Sequence, residues 1–333
     1  MAHTLVRFII GSPLAVISGN GLVPPAHPAP LELEARISLG DVRGRIDHLA
    51  IDLGRSRLYV AELGNNSIGV VDLKERRTVQ TLTGLSEPQG IGYVPSADTV
   101  YVANAGDGTV QLFQGGDLRR VAQLALGEDA DNIRVDDSAH RVYVGYGSGA
   151  LAVIDTTSHT TVADIPLKAH PEGFQLERAG QRIFVNMPDA RQLAVVDRST
   201  SKLVASWSTD PEGGNFPLAL DAARQRVLAV FRHPAKLVAF GVQDGRSLAA
   251  LDTCGDADDV FVDTKRDRVY VACGEGFLDI LASRGDGYVS IARIPTAAGA
   301  RTALYVPEID RLMLPLRATA TSPASVWVFR PEQ

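Results

Sequence analysis

The sequence lacks the features that mark several large functional classes. Only two of its 333 residues are cysteine, Cys254 and Cys273, which are too few for a disulfide framework and are not spaced as a CxxC metal-binding pair. No run of Lys or Arg exceeds about a pair and the net charge is −6, so we expect no nucleic-acid partner. Residues 5–23 are rich in apolar side chains, but Arg7 and Pro13 interrupt them. We therefore expect no membrane span, which needs about 20 consecutive apolar residues.

The start of the chain resembles a secretory signal. Arg7 precedes a short apolar stretch, and the small residues Ala26 and Ala29 accompany a Pro-rich segment. We predict a signal-like or flexible segment at residues 1–30 and a periplasmic or secreted location, with a cytoplasmic location as the alternative. The two cysteines are then either a disulfide, which fits export, or two free thiols.

What the sequence does contain is a repeat of one short strand core. The third residue of each copy lies at Tyr59, Tyr101, Tyr143, Phe184, Leu228, Tyr270 and Met313. The steps are 41 to 44 residues, and a period of about 40–45 residues built from short strands is typical of β-propeller blades. Each period holds four apolar runs of strand length, separated by turn-forming residues. We predict an all-β protein: a seven-bladed β-propeller with four-stranded blades, forming one domain over residues 31–330.

The last period is one strand short. Residues 325–329 match the third strand of blade seven, after which the chain ends. Residues 31–39, ahead of blade one, form a strand pattern that no blade has yet used. We predict that this N-terminal strand completes blade seven, because closing the ring in this way removes an exposed sheet edge.

The strand cores also resemble those of a known family. Val100-Tyr101-Val102-Ala103-Asn104, with the Gly-rich turns and the Val-rich third strands that end in Asp, is similar to the YVTN repeat family of seven-bladed propellers. The resemblance covers residues 31–330, although blades five and seven depart from it at residues 228–231 and 313–316. It implies the fold and does not specify an activity. Seven-bladed relatives in a broad sense include lactonases and streptogramin lyase, so hydrolase or lyase chemistry is compatible with it.

Residues that recur with the period are expected to be structural. Asp72, Asp155 and Asp197 each close a third strand, and we predict that their carboxylates cap the following turns by accepting backbone N–H bonds.

Residues that break the period at the start of the innermost strands, or in the loops between second and third strands, are the functional candidates. In propellers these positions share one face, the top. The predicted catalytic candidates are His48, His170 and Glu172. The predicted ligand-binding candidates are Glu62, Asn104, Asn132, Tyr146, Phe216, Arg232, His233, Arg301 and Arg317.

Three interpretations of these polar loops remain open. The loops are polar because they are exposed to solvent, or their side chains bind a divalent metal, or their side chains act directly as general acid and base. Arg232, Arg301 and Arg317 either meet an anionic ligand or pair with carboxylates inside the protein. We predict a monomeric ligand-binding propeller whose top face holds a small molecule, a metal or a protein partner. The alternative is a lactonase-like hydrolase or lyase with His/Glu acid–base or metal-assisted chemistry at the same site.

Overall fold

A computed structural model describes residue 1 and residues 29–333. The predicted signal-like segment, residues 1–30, falls mostly outside the described residues. The described chain contains 28 strands, β1 to β28 in chain order, and four short 3₁₀ helices at Leu63–Asn65, Asp137–Ala139, Pro188–Ala190 and Ala222–Arg224. No helix in residues 29–333 is both long and apolar enough to cross a bilayer.

The strands form seven antiparallel sheets of four, which are the predicted blades. The innermost strands of blades one to seven are β2 (Leu49–Asp52), β6 (Pro88–Val94), β10 (Ile133–Asp136), β14 (Phe174–Leu176), β18 (Gly213–Asp221), β22 (Ala257–Asp263) and β26 (Leu304–Val306). The second strands are β3 (Arg57–Glu62), β7 (Thr99–Asn104), β11 (Arg141–Tyr146), β15 (Arg182–Met187), β19 (Arg226–His233), β23 (Arg268–Cys273) and β27 (Arg311–Leu316). The third strands are β4 (Ser67–Asp72), β8 (Thr109–Gln114), β12 (Ala150–Asp155), β16 (Gln192–Asp197), β20 (Ala235–Gly241), β24 (Phe277–Arg284) and β28 (Ala324–Pro331). The outer strands are β5 (Arg77–Thr83), β9 (Arg120–Ala125), β13 (Thr160–Pro166), β17 (Lys202–Ser208), β21 (Ser247–Asp252), β25 (Gly287–Pro295) and, for blade seven, β1 (Leu31–Gly40).

The two ends of the chain share blade seven, as predicted. Strand β1 pairs antiparallel with β28, with Leu31 opposite Pro331 and Ile37 opposite Val326. The ring is therefore closed by hydrogen bonds between the first and last strands, and the seven-bladed fold is confirmed.

The core is divided into seven hydrophobic clusters, each between two neighbouring blades. Alternate side chains of one strand contribute to different clusters: Leu58 and Val60 pack toward blade seven, whereas Tyr59 packs toward blade two. Both faces of each blade are buried, which explains why the second and third strands have continuous apolar runs. Because the seventh cluster joins blades seven and one, packing closes the ring as well.

The third-strand aspartates cap turns, as predicted. The Oδ1 atom of Asp72 accepts the N–H groups of Lys74 and Glu75 at 2.9 and 2.8 Å, and Asp155 and Asp197 accept equivalent bonds. These carboxylates are part of the scaffold.

Ion-pair bridges link blades on the bottom face, where the innermost strands end. In each bridge, an arginine three residues after a strand-end aspartate contacts that aspartate and a second aspartate in the next blade. Arg266 lies 3.0 Å from Asp263 and 2.7 Å from Asp310. The same arrangement is formed by Asp52, Arg55 and Asp98 and by Asp221, Arg224 and Asp267. We refer to these three sets as the bottom bridges.

Candidate functional site

On the top face, the innermost strands begin beside the central channel. The residue that precedes each strand is held by a repeated pair of backbone hydrogen bonds to the second strand. In blade one, the Asp47 N–H donates to the Ala61 carbonyl at 2.7 Å and the Ala61 N–H donates to the His48 carbonyl at 3.0 Å. Equivalent pairs fix Asp131 in blade three and Glu172 in blade four. The blade repeat therefore delivers different side chains to equivalent places around one channel.

The ionisable side chains that meet there form what we call the mouth cluster. Its members are Arg45, Asp47, His48, Asp129, Asp131, Arg134, His170, Glu172, Arg232, Asp258 and Asp259. They come from blades one, three, four, five and six. Six carboxyl groups face three guanidinium groups and two imidazoles, so carboxyl groups outnumber cationic groups even with both imidazoles protonated.

Asp47 and His48 form the blade-one part of the cluster. The Asp47 side chain is fully buried, and Arg45 Nη2 lies 2.8 Å from its Oδ2. Burial raises the pKa of Asp47 to about 7, although the positive charges of His48 and Arg45 act to lower it. Burial alone would lower the pKa of His48. The carboxylates of Asp259, 3.5 Å from Nδ1, and of Asp47 have a larger opposite effect and raise the pKa to about 10. The imidazole is therefore a cation at neutral pH.

Asp131, His170 and Glu172 form a second group across blades three and four. One ligand-type atom from each residue lies within 4.8 Å of the other two. His170 Nδ1 is 2.6 Å from the Gly147 carbonyl, and Nε2 is 3.9 Å from Asp131 Oδ2. Burial raises the pKa of Glu172 to about 8, with further contributions from the charges of Asp131 and Asp258. This is the one group in residues 29–333 with a His/Asp/Glu arrangement suited to a metal ion.

Arg232 is an internal ion-pair partner. Its Nη2 lies 2.8 Å from Asp258 Oδ1, and its Nε donates to the Ala257 carbonyl at 3.1 Å. The guanidinium also stacks on the Phe216 ring, 3.6 Å from the centroid. Arg301 is paired in turn with Asp256 at 3.0 Å. The internal interpretation of these two arginines therefore matches the observed contacts.

Several predicted ligand-binding residues make their contacts away from the cluster. Glu62 accepts a hydrogen bond of 2.5 Å from the Ser67 hydroxyl, and Asn104 donates to the Thr109 hydroxyl at 3.1 Å, both inside a hairpin of their own blade. Tyr146 donates to Asp164 at 2.9 Å.

The other three predicted ligand-binding residues also differ in their surroundings. His233 and Arg317 are exposed, with Arg317 lying over the backbone of Gly299. Asn132 is buried beside the mouth cluster, where its Oδ1 accepts a bond of 3.3 Å from Arg134. Of the six residues, only Asn132 therefore adjoins the cluster.

The two cysteines are joined beside the blade-six part of the cluster. Cys254, in the loop before β22, is bonded to Cys273 at the end of β23, with a Cα–Cα distance of 5.8 Å. The disulfide therefore ties down the loop that leads to Asp258.

Large surface clefts lie elsewhere. A cleft of about 840 Å³ is bounded by residues 38–43 and 318–323 at the rim of blade seven. Its ionisable residues, Asp41 and Arg43, are highly exposed and pair with each other at 2.8 Å. The concentration of buried charge, and not cleft size, therefore identifies the candidate site.

Known structures resemble this chain in fold alone. No protein-family model and no curated protein matches the sequence. A chain of a mitotic checkpoint complex is similar with a TM-score of 0.75 and 12% identity, covering 98% of this chain and 99% of its own. The RRP9 WD40 repeats give a TM-score of 0.76 at 11% identity, covering 90% and 100%, and U3-55K gives 0.75 at 10%, covering 91% and 99%. These likenesses establish a β-propeller scaffold, a fold compatible with ligand or partner binding.

Seven cluster members were not among the predicted catalytic and ligand-binding residues: Arg45, Asp47, Asp129, Asp131, Arg134, Asp258 and Asp259. Arg45 precedes the blade-one strand, Asp129 precedes that of blade three, and Arg134 lies within the innermost strand β10. Arg134 was detectable, because a buried arginine stands where the corresponding strand of blade one has Ala50. Arg45 and Asp129 lie in loops of irregular length, for which the repeat offers no alignment.

Proposed function

We propose that the protein binds a small, positively charged ligand at the mouth of the propeller channel. The observation that carries the proposal is the crowding of carboxyl groups from four blades: Asp47 and Asp131, which are buried, and Glu172 and Asp258, which are half-buried. Burying a carboxylate costs several kcal/mol unless an opposite charge compensates it. Arg45 and Arg232 supply part of that charge, and a cationic ligand would supply the remainder.

A binding screen with ammonium compounds tests this proposal. Primary and quaternary ammonium compounds are titrated into the protein by calorimetry, and we expect a single site at the channel mouth. Asp47→Asn removes one buried carboxylate and is expected to weaken binding at least about tenfold, equivalent to 1.4 kcal/mol. Asp41→Asn is the matched control, because this rim carboxylate is 79% exposed and pairs with Arg43, outside the cluster. Equal affinity in the Asp47 and Asp41 variants would contradict the proposal.

A second candidate function is hydrolysis or elimination on a lactone or ester at the same mouth. It is favoured by the proximity of His170, Glu172 and Asp131, because a carboxyl group and an imidazole side by side can exchange protons with a bound substrate. Of the predicted catalytic residues, His48 and His170 carry positive charge and suit the role of acid better than base. A panel of lactones and esters tests this: turnover that is lost in Glu172→Gln supports the enzyme, and no turnover by the wild type counts against it.

We further propose a YVTN-type propeller that is exported. The aromatic-Val strand cores support the family assignment, and the bond between Cys254 and Cys273 supports an oxidising compartment. Mass spectrometry of protein isolated from its own host under thiol-trapping conditions tests the location. Two trapped thiols would contradict export.

A further inference from the structure

We propose that Asp131, His170 and Glu172 bind a divalent transition-metal ion. The inference rests on the proposed function, since the metal is one form of the positive charge that the mouth cluster needs. One ligand atom from each of the three residues lies within 4.8 Å of the others. Ligands of a tetrahedral zinc ion are about 3.3 Å apart, given bonds of roughly 2.0–2.1 Å. The separations between the ligand atoms therefore need to shrink by up to about 1.5 Å around an ion.

His170 is oriented as a metal ligand. Its Nδ1 lies 2.6 Å from the Gly147 carbonyl oxygen, which can only accept, so Nδ1 carries a proton. When a metal ion displaces the other ring proton, the lone pair that it binds is on Nε2, the atom that faces Asp131. A backbone carbonyl on one ring nitrogen and a metal on the other is the usual arrangement for a ligating histidine.

The Gly147 carbonyl is itself fixed in place. The Gly147 N–H donates to the Glu128 carbonyl at 2.8 Å, in a turn where Gly147 has φ of +60°. This left-handed conformation favours glycine. The imidazole is therefore hydrogen-bonded to a fixed backbone carbonyl and not to a mobile side chain.

Apart from His170, whose Nε2 lies 3.9 Å from Asp131 Oδ2, the two carboxylates have no ion-pair partner among the described residues. Asp131 is only 6% exposed, yet its Oδ1 accepts no hydrogen bond within the described chain. Residues 29–333 offer the Glu172 carboxylate no ion pair or hydrogen bond. A buried oxygen without a partner calls for a specific explanation, and a metal ion between the two carboxylates provides one.

The ligand set selects the class of metal. One imidazole and two carboxylates suit borderline cations such as Zn²⁺, Mn²⁺ and Fe²⁺, whereas Ca²⁺ and Mg²⁺ prefer oxygen alone. Three protein ligands leave at least one coordination position for water or for a ligand in the channel. Arg45 makes its closest ion pair with Asp47, at 2.8 Å, and only its longer-range charge reaches Asp131 and Glu172.

The experiment uses the full chain after dialysis against a chelator. ZnCl₂ and MnCl₂ are titrated by calorimetry, and the zinc-loaded protein is crystallised for anomalous diffraction at the zinc edge. We expect one ion per chain with an anomalous peak between Asp131, His170 and Glu172. Glu172→Gln and His170→Ala should each weaken binding at least about 100-fold. Unfolding in urea checks that both variants are folded.

Two control variants separate ligation from general charge and from adventitious binding. Asp41→Asn removes an exposed rim carboxylate outside the mouth cluster, and His233→Ala removes an exposed histidine. Both should retain binding within about threefold, well short of one factor of ten. A peak at another place, or equal loss in Asp41→Asn and Glu172→Gln, would overturn the inference.

Failure of the metal site and failure of the proposed function give different results. If ammonium compounds bind and neither metal does, the metal inference is wrong and the cation site stands. If neither class binds, both are wrong.

Discussion

On the bottom face, Arg266 lies between Asp263 and Asp310, and each carboxylate has a cation at about 3 Å or less. On the top face, Asp47 and Glu172 are buried in a cluster with more carboxylates than cations. The hydrogen bond from Arg266 lowers the pKa of Asp310, whereas burial raises that of Asp47 to about 7. Each carboxylate of the bottom bridge thus has a close cation, whereas on the top face carboxyl groups outnumber cations.

The difference separates scaffold from site. The bottom bridges recur at three blade junctions with one spacing, so they follow the repeat and stabilise the ring. The mouth cluster does not recur in this way: its members come from five of the seven blades and from several strand and loop positions. A buried, non-repeating and unbalanced set of charges is costly to maintain, and such sets are concentrated at functional sites.

The largest expected effect is a loss of stability at high pH that originates at the top face. Folded Asp47 and His48 have pKa values of about 7 and 10, above the ordinary 3.8 and 6.5. Because the folded state binds more protons than the unfolded state across this window, stability is highest below it and falls as the pH rises through 7 and then 10. We expect a loss on the order of 5 kcal/mol between about pH 5 and pH 10, measured by urea unfolding.

Variants assign the parts of this pH profile to the two faces. Asp47→Asn should flatten the fall in stability between about pH 4 and pH 7, where folded Asp47 holds a proton that the unfolded residue has lost, and should leave the limb below about pH 4 unchanged. Asp310→Asn should flatten the acid limb, because a lowered pKa gives stability that is present above about pH 4 and lost as the pH falls further. A profile between about pH 4 and pH 7 that is identical in wild type and Asp47→Asn would contradict the comparison.

A slightly smaller effect is expected from breaking a bottom bridge. The Arg266 side chain is 4% exposed and Asp263 is 1% exposed, so Arg266→Ala leaves a buried carboxylate unpaired. We expect a loss of about 4 kcal/mol in the free energy of unfolding in urea at pH 7. Arg178→Ala, at an exposed arginine, should change it by less than about 0.5 kcal/mol. If the two variants were equally stable, the bottom bridges would not stabilise the ring.

The sequence was enough to predict the fold but only part of the site. The strand spacing and the extra strand at residues 31–39 were both predicted from the period, and the fold confirms both. The extra strand is β1, which pairs with β28 in blade seven. Whether a loop residue reaches the channel depends on its hairpin partner, which the period does not reveal. Glu62 and Asn104 turn inward because Ser67 and Thr109 lie opposite them. A serine or threonine five residues further along was the available signal.

The smallest of these effects is expected from the disulfide beside the mouth cluster. Cys254 and Cys273 are 19 residues apart, and a loop of that size gives about 3 kcal/mol of stabilisation. The double variant Cys254→Ser, Cys273→Ser should lose about this amount in urea unfolding. Because the disulfide is confined to blade six, the acid limb of the pH–stability profile, which is assigned to the bottom face, should keep its midpoint pH. An unchanged free energy of unfolding would mean that the bond does not form in the protein.

The excess of carboxyl groups over cationic groups at the channel mouth is tested most directly by the titration of His48. The protein has seven histidines, so imidazole signals can be followed individually by NMR, with His48→Asn providing the assignment. If carboxylates outnumber cations in the mouth cluster as described, His48 remains protonated until about pH 10. Titration of His48 near its ordinary pKa of about 6.5 would contradict the account.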